Sequence, residues 1–264
     1  MSGWTITPLY FGFTDGETAG GNICSIPWMG FFLTDGKHRV LCDTGVKTGF
    51  FRDSRSPWGF HAEGDEGFVL RALEKIGVAP GSIEMVIYTH FHWDHAGNCH
   101  LFPKAVHLFQ DEEWKELLDP LPSMAYYGLH DPRVIPEFGK LRCRRVSGDL
   151  AVFEGLDLVH TPGHSAGHQC LRVRTARGVY VIAGDLVCVH YMAYPNMNMW
   201  QKRDGSVVTI DRDMDRFIHN IFYSPIFDHY AWYRAQYRIL GMIEGPEYLI
   251  PGHEPTVLNT ERFG

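Results

Sequence analysis

Several things are missing from this chain of 264 residues. No apolar run approaches the roughly 18 residues of a membrane-spanning helix, so no membrane partner is expected. No run of Lys and Arg stands out. The 24 basic residues are outnumbered by 31 acidic ones, for a formal net charge of -7. A general nucleic-acid surface needs a basic stripe, so nucleic acid is not an expected partner either. None of the six cysteines (Cys24, Cys42, Cys99, Cys143, Cys170, Cys188) forms a C-x-x-C pair. The start, "MSGWTITPLY", lacks the basic and apolar regions of a secretory signal. A cytoplasmic protein with reduced thiols is the expectation. No repeat, low-complexity tract or composition shift marks a linker, so residues 1–264 are expected to form a single domain. What is present is an ordinary globular composition, 45% hydrophobic, with one unusual abundance: 15 histidines.

The first 45 residues read as strands and turns. "GFFLTDGKHRVLCDTG" has two apolar runs about a D-G turn signal, which predicts a hairpin. Residues 44–66 keep no period and read as a long loop. "EGFVLRALEKIGV" spaces Phe68, Leu70, Leu73 and Ile76 as a helix would, with Gly77 to end it. "IEMVIYTH" reads as a buried strand and "AVHLF" as another. A helix follows from an N-capping Asp111 to about Leu118. Residues 119–145 are ambiguous. "LDLVHTPGH", "HQCLRVRT" and "GVYVIAGD" read as three successive strands. Helices are expected near 211–222 and 228–243, and "EYLIPGH" as a last short strand. The pattern is that of an α/β protein with sheets inside and helices outside.

The histidines concentrate. "THFHWDHAGN" places His90, His92, Asp94 and His95 just after a strand. On an extended segment His90 and His92 face one side, and a turn must then redirect Asp94 or His95. A run of this kind can serve two metals from one loop. His164 in "TPGHSAGH", Asp185 in "VIAGD" and His253 in "LIPGH" each sit at a strand end beside Gly or Pro. There the backbone can bend close to an ion. Five His and two Asp match two zinc ions with four or five ligands each and one bridging carboxylate. Imidazole and carboxylate without thiolate suit Zn2+, and also Mn2+, Fe2+ or Co2+.

Taken in order, "LCDTG", "THFHWDHAGN", "TPGHSAGH", "AGD" and "PGH" resemble the metallo-β-lactamase superfamily. The resemblance covers roughly residues 20–255. It implies an αββα sandwich, with two mixed sheets inside and helices outside, and a site along one edge. It also implies that His90, His92 and His164 hold one metal, that Asp94, His95 and His253 hold a second, and that Asp185 bridges. Asp43 would hydrogen-bond a ligand His and fix its tautomer.

A water held between two cations is a nucleophile near neutral pH, because each metal lowers its pKa. A carbonyl oxygen on one metal is polarised. Asp94 is the candidate proton shuttle. The expected activity is hydrolysis of a lactone or a related cyclic ester or amide of a small, rather hydrophobic substrate. The alternatives are a thioesterase of the glyoxalase II type and a phosphodiesterase. The nearest likeness is to the small lactonases that act on N-acyl homoserine lactones. Those often carry a Tyr three residues after the bridging Asp, where this chain has Cys188. Tyr191, Tyr194 and His190 are the candidates to replace it. Trp28, Phe50, Phe51, Trp58 and Trp200 are expected in the substrate pocket. Aromatic helices near 214–240 offer a face for a homodimer.

Overall fold

The computed structural model describes residues 3–17, 23–194, 196–209 and 226–264. The helix expected near 211–222 lies outside them. Two sheets stack face to face. The larger contains β1 (Thr5–Glu17), β2 (Ile23–Thr34), β3 (Arg39–Cys42), β4 (Ala62–Glu63), β5 (Met85–Ile87), β6 (Val106–Gln110) and β7 (Arg142–Val146), in the order β4-β1-β2-β3-β5-β6-β7. Its first half is antiparallel and β3, β5, β6 and β7 run parallel. The smaller contains β8 (Leu150–Phe153), β9 (Leu156–His160), β10 (Gln169–Thr175), β11 (Gly178–Gly184) and β14 (Leu249–Pro251), in the order β14-β11-β10-β9-β8. Only its β11–β14 pair is parallel. A separate hairpin pairs β12 (Met199–Gln201) with β13 (Val207–Thr209).

Alternating side chains build four layers. Met29, Phe31 and Leu33 of β2 point inward and meet Leu171 and Val173 of β10 and Ile182 of β11 between the sheets. The outward Val181 and Ala183 of β11 pack on Trp232, Ala235 and Ile239 of α5 (His229–Leu240). On the far side, Val86 and Tyr88 pack with Val69 and Leu73 of α1 (Glu66–Lys75), Leu117 of α2 (Asp111–Leu118) and Phe138 of α4 (Ile135–Phe138). Each such aliphatic side chain contributes about 1.5–3 kcal/mol by leaving water. This is the αββα sandwich that the motifs imply. Among the described residues, no helix is long and apolar enough to cross a membrane.

Several local expectations shift. In α1 the buried residues are Val69 and Leu73, while Leu70 is exposed, so the apolar stripe is narrower than the spacing suggests. Asp111 is the first residue of α2 rather than its cap; Gln110 takes the cap position without a side-chain bond. The loop after residue 44 contributes β4, which pairs with β1. The ambiguous 119–145 stretch holds α3 (Pro122–Tyr127), α4 and β7. Strand β7, "RCRRV", is mostly exposed on an outer edge, where a charged sequence needs no apolar alternation.

Candidate metal centre

Five strands deliver the site, all at their C-terminal ends. Asp43 follows β3, His90 follows β5, His164 follows β9, Asp185 follows β11 and His253 follows β14. After His90 and His92 the chain turns, with His95 N–H and Ala96 N–H both donating to His92 O at 3.0 and 3.2 Å. This turn directs Asp94 and His95 toward His253, with the His95 ring still 4.1 Å from that of His90. Two glycine contacts bring the segments close. A Cβ on Gly97 would fall 2.2 Å from Lys47 N, and one on Gly252 would fall 2.6 Å from Gly184 O. Glycine in "HAGN" and "PGH" is therefore required by backbone proximity.

The candidate ligands fall into two groups. His164 Nε2 lies 3.1 Å from His90 Nε2 and 2.9 Å from His92 Nδ1. Asp185 Oδ2 lies 3.5 Å from His164 Nε2 and 4.0 Å from His90 Nε2. A tetrahedron with metal–nitrogen bonds of about 2.0–2.1 Å has edges of about 3.4 Å, so these spacings fit one ion. In the second group, His95 Nε2 is 3.4 Å from Asp94 Oδ2, and His253 Nε2 is 3.6 Å from it. The other oxygen of the shared carboxylate, Asp185 Oδ1, is 3.3 Å from His95 Nε2 and 2.8 Å from His253 Nε2. One oxygen of Asp185 thus faces each group. His95 Nε2 is buried, faces two carboxylates and makes no hydrogen bond. A cation completes that arrangement.

Neighbours set the tautomers. His95 Nδ1 lies 2.9 Å from Asp43 Oδ2, which leaves Nε2 directed at the site. Asp43 also accepts from Thr89 N–H and Thr89 Oγ1–H, both at 2.8 Å. The expectation that Asp43 bonds a ligand His therefore matches this geometry. His253 Nδ1 donates to Pro27 O at 2.8 Å. His168, outside the set of histidines expected at the site, has a supporting place. It binds Thr161 through Nδ1 at 3.0 Å and accepts Leu186 N–H through Nε2 at 3.3 Å, holding the loop that carries Asp185.

Burial pushes the pKa values of His90 and His92 well below normal, and His164 down to about 4. These three are neutral nitrogen donors. Burial also opposes charge on His95, but the Asp94, Asp185 and Asp43 carboxylates together raise it well above the usual value. Burial would raise Asp185, yet His253 and His95 hold it well below. Three buried carboxylates call for positive charge at the centre, and without a metal the raised His95 and His253 supply it with protons.

The sequence profile of the metallo-beta-lactamase superfamily matches residues 30–253. The chain belongs to that superfamily. An N-acyl homoserine lactonase of Bacillus cereus is 27% identical over 169 residues, which cover 61% of this chain and 64% of the relative. The match to such relatives thus spans less than two thirds of their length. "Metallo-beta-lactamase domain-containing protein 1" of Xenopus laevis is 35% identical over 135 residues, 51% of this chain and 48% of that protein. A structure of Bacillus thuringiensis AiiA, a variant with N-decanoyl-L-homoserine bound at the active site, superposes with a TM-score of 0.71. It is 18% identical, covering 96% of this chain and 94% of that one. The dizinc quorum-quenching lactonase AidC, with a product bound, gives 0.65 at 15% identity, covering 96% and 88%. At such identities the structures establish the shared fold.

Around this superfamily centre the structure gathers some of the expected pocket residues and separates others. Trp93, not among the expected pocket residues, lies between the ligands His92 and Asp94. Phe50 stacks on it at 4.8 Å, and Trp28, Phe51 and Trp58 lie 5.0, 5.4 and 6.0 Å from it. Trp28 also meets His253 edge-on at 5.5 Å. Cys188 Sγ is grouped with ligand atoms of Asp185 and His253, all within 4.8 Å of one another. Trp200 is elsewhere. It is buried with Cys24 and Val189, and its indole N–H donates to Glu254. Tyr191 packs against Trp200, and Tyr194 against the cluster around Trp232. His190 binds Glu254 through its backbone N–H and Leu249 O through Nε2. The signal for Trp93 in the sequence is its place inside the ligand motif, between two side chains that must reach the metals.

Proposed function

We propose that this protein is a metal-dependent hydrolase with two divalent ions, zinc first among them, that opens a lactone or related cyclic ester or amide of a small hydrophobic substrate. One observation carries the reading: the two oxygens of Asp185 face two separate groups of buried ligands. The lactonases among the relatives support the substrate class. When bound, the ion pair supplies Lewis acidity and an acidified water.

The chain's own residues do the rest. Asp94 Oδ2 stands between His95 and His253 and is placed to take a proton from the attacking water. It returns that proton to the departing alcohol oxygen, so the ring-opened hydroxy acid is complete. The aromatic group of Trp28, Phe50, Phe51, Trp58 and Trp93 excludes water from the side of the second ligand group and gives an apolar substrate a surface to pack on. Cys188 occupies the place of the lactonase Tyr beside Asp185, so a substrate oriented by a phenol hydroxyl is disfavoured.

The test combines elemental analysis with a panel of lactones, cyclic amides, thioesters and phosphodiesters. The reading expects two metals per chain and the fastest turnover on a lactone. Fewer than one metal per chain after metal-replete expression sinks the dinuclear site. Faster phosphodiester than carboxyl-ester turnover sinks the substrate class, and preference for a thioester moves it to the glyoxalase II type.

A further inference from the structure

Helix α2 opens with three acids, Asp111, Glu112 and Glu113, and carries a fourth, Glu116, one turn later. Two of the four are buried, Glu113 and Glu116. Buried carboxylates are costly unless hydrogen bonds answer them, so their partners identify their task.

Glu113 Oε2 accepts the backbone N–H of Phe91 at 2.9 Å. Phe91 is the residue between the ligands His90 and His92. Glu113 Oε1 accepts the Ser165 hydroxyl and the Gly167 N–H, the latter at 2.9 Å. Glu116 Oε2 accepts the N–H of Ala166 at 2.8 Å. Ser165, Ala166 and Gly167 follow directly on the ligand His164. Contact between helix and loop is close: a Cβ on Gly167 would fall 2.6 Å from Glu113 N. The second group is held differently, by Asp43 on His95 and Pro27 O on His253. Asp43 reaches the first group through Thr89, whose hydroxyl oxygen lies 3.0 Å from His90 Nδ1.

From this we infer that Glu113, supported by Glu116, is a positioning residue that sets the metal affinity of the three-histidine site separately from that of the second site. One carboxylate ties the backbone that carries His90 and His92 to the loop that carries His164. Those segments lie more than 70 positions apart in the chain. Gln169 also joins them, its N–H donating to Thr89 O at 2.9 Å and its side chain to Tyr88 O at 2.7 Å. These bonds lie outside Phe91 and residues 165–167, the stretches that Glu113 holds. Their relative placement fixes the 2.9 and 3.1 Å nitrogen spacings. The inference rests on the dinuclear reading, and its test begins by confirming two metals in the parent.

Glu113→Gln keeps the shape but places an NH2 group against at least one N–H or O–H donor. Groups that orient metal ligands typically contribute 10–100-fold in affinity. The expected result is a first-site dissociation constant raised by about 10–100-fold, with the second site changed less than about 2-fold. Stepwise titration against a competing chelator reads both. The cobalt(II)-loaded protein should show an altered ligand-field spectrum for one ion only. Ser165→Ala removes one donor without disturbing the carboxylate, and should weaken the first site by a smaller factor. It decides the matter if Glu113→Gln does not fold. Parent affinities and a parent cobalt spectrum in the folded variant overturn the inference. So does a variant whose metal-free form merely melts earlier, or one that weakens both sites equally. A parent that binds one metal overturns the dinuclear reading instead.

Discussion

Replacing Asp43 by Asn tests how the second group of ligands is prepared. Asp43 has φ of 62°, in the left-handed region that Asn tolerates, so the backbone has no reason to move. Asn Oδ1 still accepts Thr89 N–H, and the Thr89 hydroxyl can rotate to accept from the new amide. His95 is left directly facing a donor, while His90, whose Nδ1 lies 3.0 Å from the Thr89 oxygen, keeps that oxygen as its acceptor. With a donor against Nδ1, His95 keeps its proton on Nε2, where it points at Asp185 Oδ1 and Asp94 Oδ2, 3.3 and 3.4 Å away. The proton then sits where the ion is needed, and it satisfies both carboxylates. The hydrogen bond lost is charge-assisted, worth about 1.5–3 kcal/mol. That agrees with the 10–100-fold, or about 1.4–2.7 kcal/mol, typical of groups that orient a metal-bound His. Two melting curves, with metal and with chelator, form the assay. The chelated variant should lie within about 1 kcal/mol of the chelated parent, while the gain on adding metal shrinks by about 1.4–2.7 kcal/mol. An undiminished metal-dependent gain refutes the tautomer argument. A collapse of the chelated protein refutes the claim that the backbone is unaffected.

Four further outcomes are expected. Trp58→Ala should raise KM for a hydrophobic substrate at little cost in Tm, since Trp58 is partly exposed beside Trp93; an unchanged KM removes it from the pocket. Trp200→Ala should chiefly destabilise, by about 3–5 kcal/mol in denaturant titration, because it empties a buried volume and removes one of the donors to Glu254. Gly97→Ala should abolish soluble folded protein, as judged by circular dichroism, because its Cβ would meet Lys47 N at 2.2 Å. In the metal-free protein, burial lowers the pKa of His107 and His168, and that of His130 to about 4. The unfolded chain then binds more protons between about pH 6.5 and 4, so stability should fall as pH falls through that window. The raised His95 and His253 act with the opposite sign, adding stability below about pH 6.5 that is lost as pH rises through their folded values. Unfolding free energies that rise on acidification would show that these two outweigh the buried neutral histidines.

Much of the metal centre is legible in the sequence because its residues are chemically unusual and stand at strand ends. Five His and two Asp, three of them beside Gly or Pro, suit metal binding better than any packing role, while the assignment of Asp185 as the bridge comes from the family resemblance. Glu113 and Glu116 are not legible. In "DEEWKELL" they look like acids favoured near a helix N-terminus, and only the tertiary fold reveals that they face inward. Strand β7 escapes because an edge strand needs no alternation. Trp200 and Trp58 are indistinguishable as letters in aromatic-rich segments. Their different surroundings depend on contacts with Glu254 and Trp93, far away in sequence.

Asp185 and His253 come from β11 and β14, which run parallel and side by side. Parallel neighbours are separated by the fixed hydrogen-bonding distance of a sheet, about 4.8 Å, whatever chain joins them. The segment from Asp185 to His253 can therefore lengthen, shorten or change composition without altering the spacing of the two ligands. A parallel pair thus fixes two side chains side by side and leaves the length of the chain between them unconstrained by their spacing.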